Sequence, residues 1–223
     1  MLFTREKDLS LLAIGAHPDD IELGSGGFIH RLKSDLGARV HFLVLTHGLK
    51  SWQASGGFDR HQRHQESIKA AGVLGVDECD VAILGYEDCG LQRDVHSLIR
   101  EVEGLIGSKR FDMVLTHAKG DTHLDHETVY AATISATRAF HGTVLLYQAP
   151  STILNEFSPT FFVDLKPGDF EAKQTALREH ASQREKSFMA AERVLWIAQS
   201  WTACLNAPSG LFEAFQVYKS FWC

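Results

Sequence analysis

One imidazole and two carboxylates stand together at His17-Pro18-Asp19-Asp20. A second group, His117, Asp121, His123, Asp125, His126 and Glu127, follows much later in the chain. Imidazole nitrogen and carboxylate oxygen are both zinc ligands. Two adjacent carboxylates also permit a division of labour, one holding a metal while the other stays free as a base. Each group has a plainer reading when taken alone. Asp is a favoured helix cap, so either group could be a polar turn opening a helix, with incidental histidines. What decides between these readings is where the two groups fall on the elements that carry them.

Apolar runs at residues 9–14, 40–45, 80–84, 111–116 and 143–148 read as strands. Helical patterns alternate with them: from about residue 23 or 24 to 35, 60–74, 91–106 and 125–140. The third of these shows Val95, Leu98, Ile99, Val102, Leu105 and Ile106 at helical spacing. Beyond them come a short extended piece at 161–165, a mostly helical stretch at 168–196 with a break near Ser187, and a closing strand at 213–219. This alternation predicts an α/β fold with a Rossmann-like, mostly parallel sheet and helices on both faces. Both polar groups then sit where a strand gives way to a helix, at the carboxyl edge where such sheets bind ligands. If the first and fourth strands are neighbours, His17, Asp20 and one histidine of the second group meet. Three protein ligands leave one position open for water, as in catalytic rather than structural zinc. Zinc lowers the pKa of its bound water to about 7 in such sites. Asp19 would then be the general base. His123 or His126 would polarise a carbonyl or protonate a leaving amine, and Asp125 would fix the tautomer of a histidine. Iron suits the same ligands.

Composition narrows the field further. At 223 residues and 44% hydrophobic, residues 1–223 are expected to form one domain. The net charge of -6 and the lack of a basic run argue against nucleic acid as a partner. No apolar run approaches a membrane span, and the first residues lack a signal-peptide core, which predicts a cytoplasmic protein. A homo-oligomer is compatible with all of this. Cys79, Cys89, Cys204 and Cys223 show no paired spacing and are expected to be reduced thiols. Gly24, Gly26 and Gly27 do not follow the dinucleotide fingerprint, and the Asp19-Asp20 pair would repel a pyrophosphate. Residues 49–59, 86–92 and 150–160 are expected to shape the substrate pocket. Trp52, Tyr86 and Phe157 there are candidates to stack on a sugar.

Ala16-His17-Pro18-Asp19-Asp20, with Glu22-Leu23-Gly24 and Gly26-Gly27, resembles the signature of the LmbE-like (PIG-L) zinc-dependent N-deacetylases. His123-Leu124-Asp125-His126 resembles the second signature of that family, with Leu124 in place of the usual proline. Arg63 and Glu66 resemble its R-x-x-E helix. Lys173, His180, Ser182 and Gln183 resemble a later segment, and Glu213 and Phe215 its closing strand. The resemblance implies a domain that removes an N-acetyl group from a small-molecule N-acetylated sugar or glycoconjugate. It implies His17, Asp20 and His126 as zinc ligands and Asp19 as base. His123 becomes the oxyanion donor or acid, Asp125 a support for a histidine, and Arg63 a sugar contact. The family's second strand usually ends T-D-G-E, whereas this chain reads Thr46-His47-Gly48-Leu49, which marks His47 as a residue that would alter substrate choice.

Overall fold

In the computed structural model, which describes residues 9–50 and 58–221, seven strands form one sheet. Strand β1 (Ser10–Gly15) lies at its centre, flanked by β2 (Arg39–Thr46) and β4 (Met113–His117), both parallel to it. Outside β2 lies β3 (Val81–Tyr86), and outside β4 lies β5 (Thr143–Tyr147), again parallel. Strand β7 (Phe212–Lys219) then runs antiparallel to β5 and to the last strand, β6 (Phe161–Asp164). The order is β3-β2-β1-β4-β5-β7-β6. The chain leaves β1 in one direction through β2 and β3, then crosses back to lay β4 on its other side. That reversal opens a crevice at the carboxyl ends of β1 and β4, the switch point where open α/β sheets bind ligands.

The central strands are largely apolar because both faces of the sheet are covered. Leu11 and Ala13 of β1 face one core, with Phe28 and Ile29 of α1 (Asp20–Leu36), Ala70 and Ala71 of α2 (Arg60–Val73) and Ala176 and Leu177 of α5 (Pro167–Glu179). Leu12 and Ile14 face the other core, with Leu98 and Val102 of α3 (Val95–Ser108) and Val129 and Ala132 of α4 (Leu124–Ala136). Helix α6 (Ala191–Leu205) closes the first core with Val194 and Ala198. Among the described residues, no helix is long and apolar enough to cross a membrane.

Several boundaries differ from the sequence reading: α4 ends at Ala136 rather than at residue 140, α6 runs to Leu205 rather than to 196, and two further differences bear on the site. Helix α1 begins at Asp20, not near residue 23 or 24, so Asp20 sits in its first turn and the glycines lie in its interior. They are there for close packing: a Cβ on Gly24 would fall within the ring of Tyr147. The break in the late helical stretch begins at His180 rather than near Ser187 and runs through two short 3-10 turns to Ala190. His180 is tied to Glu22 at 3.1 Å, and that buried contact ends α5 before the amphipathic pattern does.

Candidate active site

The site grows out of the turn between β1 and α1. Asp19 lies in the left-handed region, with φ 101 and ψ -25. A non-glycine residue there costs on the order of 1–3 kcal/mol and marks a functional constraint. The turn is held by its own polar atoms: the Leu23 N–H donates to the Asp19 carbonyl at 2.9 Å, and the His17 N–H donates to Asp20 Oδ2 at 2.7 Å. Asp19 is thereby carried into the crevice, buried, with its Oδ2 3.7 Å from Nη1 of Arg63 on α2.

From the other side, β4 and the following turn bring the second group. Asp20 Oδ1 is 3.4 Å from His126 Nε2, and Asp20 Oδ2 is 3.4 Å from His17 Nδ1. Ligand atoms of His17, Asp20 and His126 lie within 4.8 Å of one another. Each histidine has its second nitrogen anchored. His17 Nε2 is 3.2 Å from both Asp88 Oδ1 and Asp125 Oδ2. Asp125 is itself fixed, accepting from the backbone N–H groups of Cys89 at 2.7 Å and Leu91 at 3.2 Å. His126 Nδ1 is 3.2 Å from Asp121 Oδ2 and from Ser151 Oγ. Carboxylates behind the imidazoles, with the inner nitrogens converging on one carboxylate, are the arrangement that orients histidines on a metal. The residues present therefore fit a divalent ion: two imidazoles and a carboxylate, mostly buried, each held from behind.

His123 caps α4 by accepting the Asp125 N–H at Nδ1, 3.3 Å away. Burial, with His17 and His126 nearby, lowers its pKa, so the ring is neutral and carries its proton on Nε2. Its ring lies 4.8 Å from that of His17.

The electrostatics divide the two carboxylates of the turn. Burial pushes both upward. At Asp20 the charges and hydrogen bonds of His126 and His117 outweigh burial and hold the carboxyl well below the usual range. At Asp19 burial prevails over Arg63, and the neighbouring Asp20 adds to it, so that carboxyl stands above its ordinary value. Burial also works against charge on His126, but Asp20 and Asp121 raise it to about 9.

Three residues with no role assigned from the sequence complete the centre: Asp88, which lay outside both groups, and His117 and Asp121 of the second group. Asp88 supports His17, and Asp121 supports His126. His117, the last residue of β4, stacks on His126 at 4.1 Å and accepts the Ala16 N–H at 3.2 Å. Burial and the neighbouring His126 push its pKa down to about 4. All three stand at or just past strand carboxyl ends, and that position is the signal that could have singled them out. Of the later signature residues, Gln183 lines the cleft, while Lys173, His180 and Glu213 lie behind the site. Lys173 pairs with Glu213 at 2.6 Å, and Glu213 accepts the N–H groups of Gly27 and Phe28 in α1. Glu66 accepts from Ser182 Oγ at 2.6 Å.

An open cleft of about 1030 Å³ lies in front of His17, Asp19, Asp20, His123 and His126. Arg63 reaches its wall although only 2% exposed. Its Nη2 donates to the Pro18 carbonyl at 2.9 Å, while Nη1 has no hydrogen-bond partner among the described residues. His47 sits behind this wall. Its carbonyl accepts from Arg63 Nε at 3.3 Å, its ring lies 6.1 Å from His64, and it is not among the described residues that line the cleft. Phe157 is buried against Trp201 and Tyr86 packs on the second core, so neither is a lining residue; Trp52 lies outside the described residues.

A parallel α/β sheet with a His–Asp–His group and a spare buried carboxylate at its switch point defines a class of protein equipped to hold a divalent metal. The chain belongs to the PIG-L (LmbE-like) family of deacetylases: residues 12–137 match the family described as GlcNAc-PI de-N-acetylase. It is 34% identical over 188 residues to the uncharacterized deacetylase YaiS of Escherichia coli K12, covering 82% of this chain and 96% of that one. It is 28% identical over 190 residues to the diacetylchitobiose deacetylase of Thermococcus kodakarensis, covering 78% and 69%. The N,N'-diacetylchitobiose deacetylase of Pyrococcus horikoshii shares the fold, with TM-score 0.76 at 23% identity over 93% of this chain and 83% of that one.

Proposed function

We propose that residues 1–223 form one deacetylase domain that hydrolyses an N-acetyl group on an N-acetylglucosamine-type sugar or conjugate, releasing acetate and a free amine. The observation that carries this reading is the convergence of His17, Asp20 and His126 beside the buried, unligated Asp19. Zinc, or iron in its place, would be held by those three residues; when bound, it supplies Lewis acidity and a lowered pKa for water, to about 7.

The chain's own residues account for the rest. Asp19 takes the proton of the attacking water, a task its raised carboxyl suits better than an ordinary aspartate. Arg63 Nη1 keeps Asp19 from becoming a neutral spectator in its buried position. The neutral ring of His123 offers Nε2–H to the carbonyl oxygen as charge develops there; a preorganised donor of this kind is worth about 3–4 kcal/mol of barrier. Asp125 and Asp88 fix the tautomer of His17, and Asp121 that of His126. The width of the cleft, and Lys50, Gln183, Lys186 and Arg193 on its wall, suit a polar sugar with several hydroxyl groups.

Elemental analysis of the purified protein, paired with acetate release from N-acetylglucosamine and diacetylchitobiose, tests the reading. About one metal per chain and acetate release abolished by chelation are expected. Metal absent from the native protein even after zinc is added back would overturn it.

A further inference from the structure

Beside the catalytic cleft lies a second, smaller cavity of about 50 Å³. The two share Leu23, Pro150 and Phe188, so the cavity is a recess adjoining the cleft across that wall. Its inner wall is apolar, formed by Val194, Ile197, Ala198 and Trp201 of α6. Among the described residues that line it, the charged ones, Lys173 and Glu213, are spent on each other at 2.6 Å and on α1, where Lys173 Nζ donates to the Leu23 carbonyl at 2.7 Å, and Gln148 is the one other polar side chain. The free surface of the recess therefore favours hydrocarbon over water.

Its mouth fixes which part of a substrate can enter. Leu23 lies three residues after Asp20 on α1 and so projects from the same helix face. Pro150 precedes Ser151, whose Oγ is 3.2 Å from His126 Nδ1. The rim residues Leu23 and Pro150 thus belong to the wall of the cleft that His17, Asp20 and His126 also line, and the amide carbonyl must sit in that cleft to react. The group bonded directly to that carbonyl is the acyl chain. The sugar, on the nitrogen side, has the wide cleft with Lys50, Arg63, Lys186 and Arg193. Polar matches polar, and apolar matches apolar.

We propose that this recess receives acyl chains longer than acetyl, making the protein an N-deacylase for short-chain N-acyl amino sugars as well as a deacetylase. This rests on the amide-hydrolysis reading above. The reaction balances as before: water's oxygen bonds to the acyl carbon, the C–N bond breaks, the amine takes the proton, and a short-chain carboxylate leaves. The recess is about one-third of the volume of a cavity that admits benzene, which corresponds to two or three carbons beyond acetyl.

The test is a chain-length series, N-acetyl, N-propionyl, N-butyryl and N-hexanoyl glucosamine, followed by amine release with the metal-loaded protein. We expect kcat/KM for N-butyryl at or above that for N-acetyl and a fall at N-hexanoyl. Ala198→Leu, or Val194→Leu one turn earlier, fills the recess and should lower the butyryl-to-acetyl ratio about tenfold, close to what two buried methylenes contribute. The ratio is internal to each variant, so partial misfolding does not mimic it, and the native series needs no variant. Acetyl turnover with butyryl at least tenfold poorer would overturn the inference alone. An equal loss of both substrates in both variants would do the same. No turnover of any member would overturn the hydrolase reading and this one with it.

Discussion

Asp19 and Asp20 are chemically identical neighbours with opposite environments. Asp20 faces imidazoles and is held ionised; Asp19 faces Arg63 and buried surface and is pushed up. The proposed roles therefore predict separable losses. Asp19→Asn should keep the metal and lower kcat by about 10²–10⁴-fold, the usual worth of a general base. Asparagine tolerates positive φ better than most residues, so the turn should survive the change. Metal content by emission spectroscopy beside turnover decides it; loss of metal in this variant would make Asp19 a ligand. Asp121→Asn should do the converse, weakening zinc about 10–100-fold in a competitive chelator titration by freeing His126 Nδ1, as removal of such a supporting carboxylate typically does. The proposed ligands were legible in the sequence because His17-Pro18-Asp19-Asp20 is a compact cluster. Asp88 was not, because it acts on His17 from a different strand end, and His117 was legible as a member of the second group but not in its role. Only the sheet order brings the loop after β3 to His17, and local spacing carries no record of that.

Helix α1 shows what the elements contribute. Its first turn carries Asp20, and its interior glycines let it press against β5 closely enough for Tyr147 to pass under it and donate from its hydroxyl to the Ile14 carbonyl at 2.8 Å. That bond pins the end of β1 one residue before the turn that holds the site. Gly24→Ala would drive a methyl group into the Tyr147 ring. The expected cost is about 1–3 kcal/mol, as for other overpacked cores, read as a lower midpoint in urea or thermal unfolding together with weaker metal binding. An unchanged midpoint would show that the ring can move aside freely. The same glycines misplace the helix start in the sequence, because glycine signals helix ends more often than close packing. The extent of the late break was hidden for a related reason. The break is held by contacts remote in sequence, the buried His180–Glu22 contact across 158 positions and Ser182 on Glu66, of which local spacing carries no record.

At the scale of the whole molecule, the fold gathers carboxylates and imidazoles that protons balance when no metal is bound. The alternation of strands and helices was readable; the adjacency of β1 and β4 on which the site depends stood only as a condition, and the sheet order supplies it. What the arrangement costs appears in the titration of the metal-free protein. His126 has its pKa raised to about 9 from an unfolded value near 6.5. His17, beside Asp125, Asp20 and Asp88, and His180, beside Glu22, are raised as well, each against the opposing effect of burial. A folded pKa above the unfolded one stabilises most below about pH 6.5, and that stabilisation is lost as pH rises through the folded value. For His126 alone the full effect is on the order of 3 kcal/mol. The chelator-treated protein should therefore lose thermal stability steadily from about pH 6.5 to 9. Zinc reverses the slope. Its ligands must be unprotonated, so binding releases protons and tightens as pH rises. The stabilisation by zinc, measured as the difference in Tm between loaded and stripped protein, should grow from pH 6.5 to 9. A difference that stays flat across that window would mean that His126 does not exchange its proton for the metal.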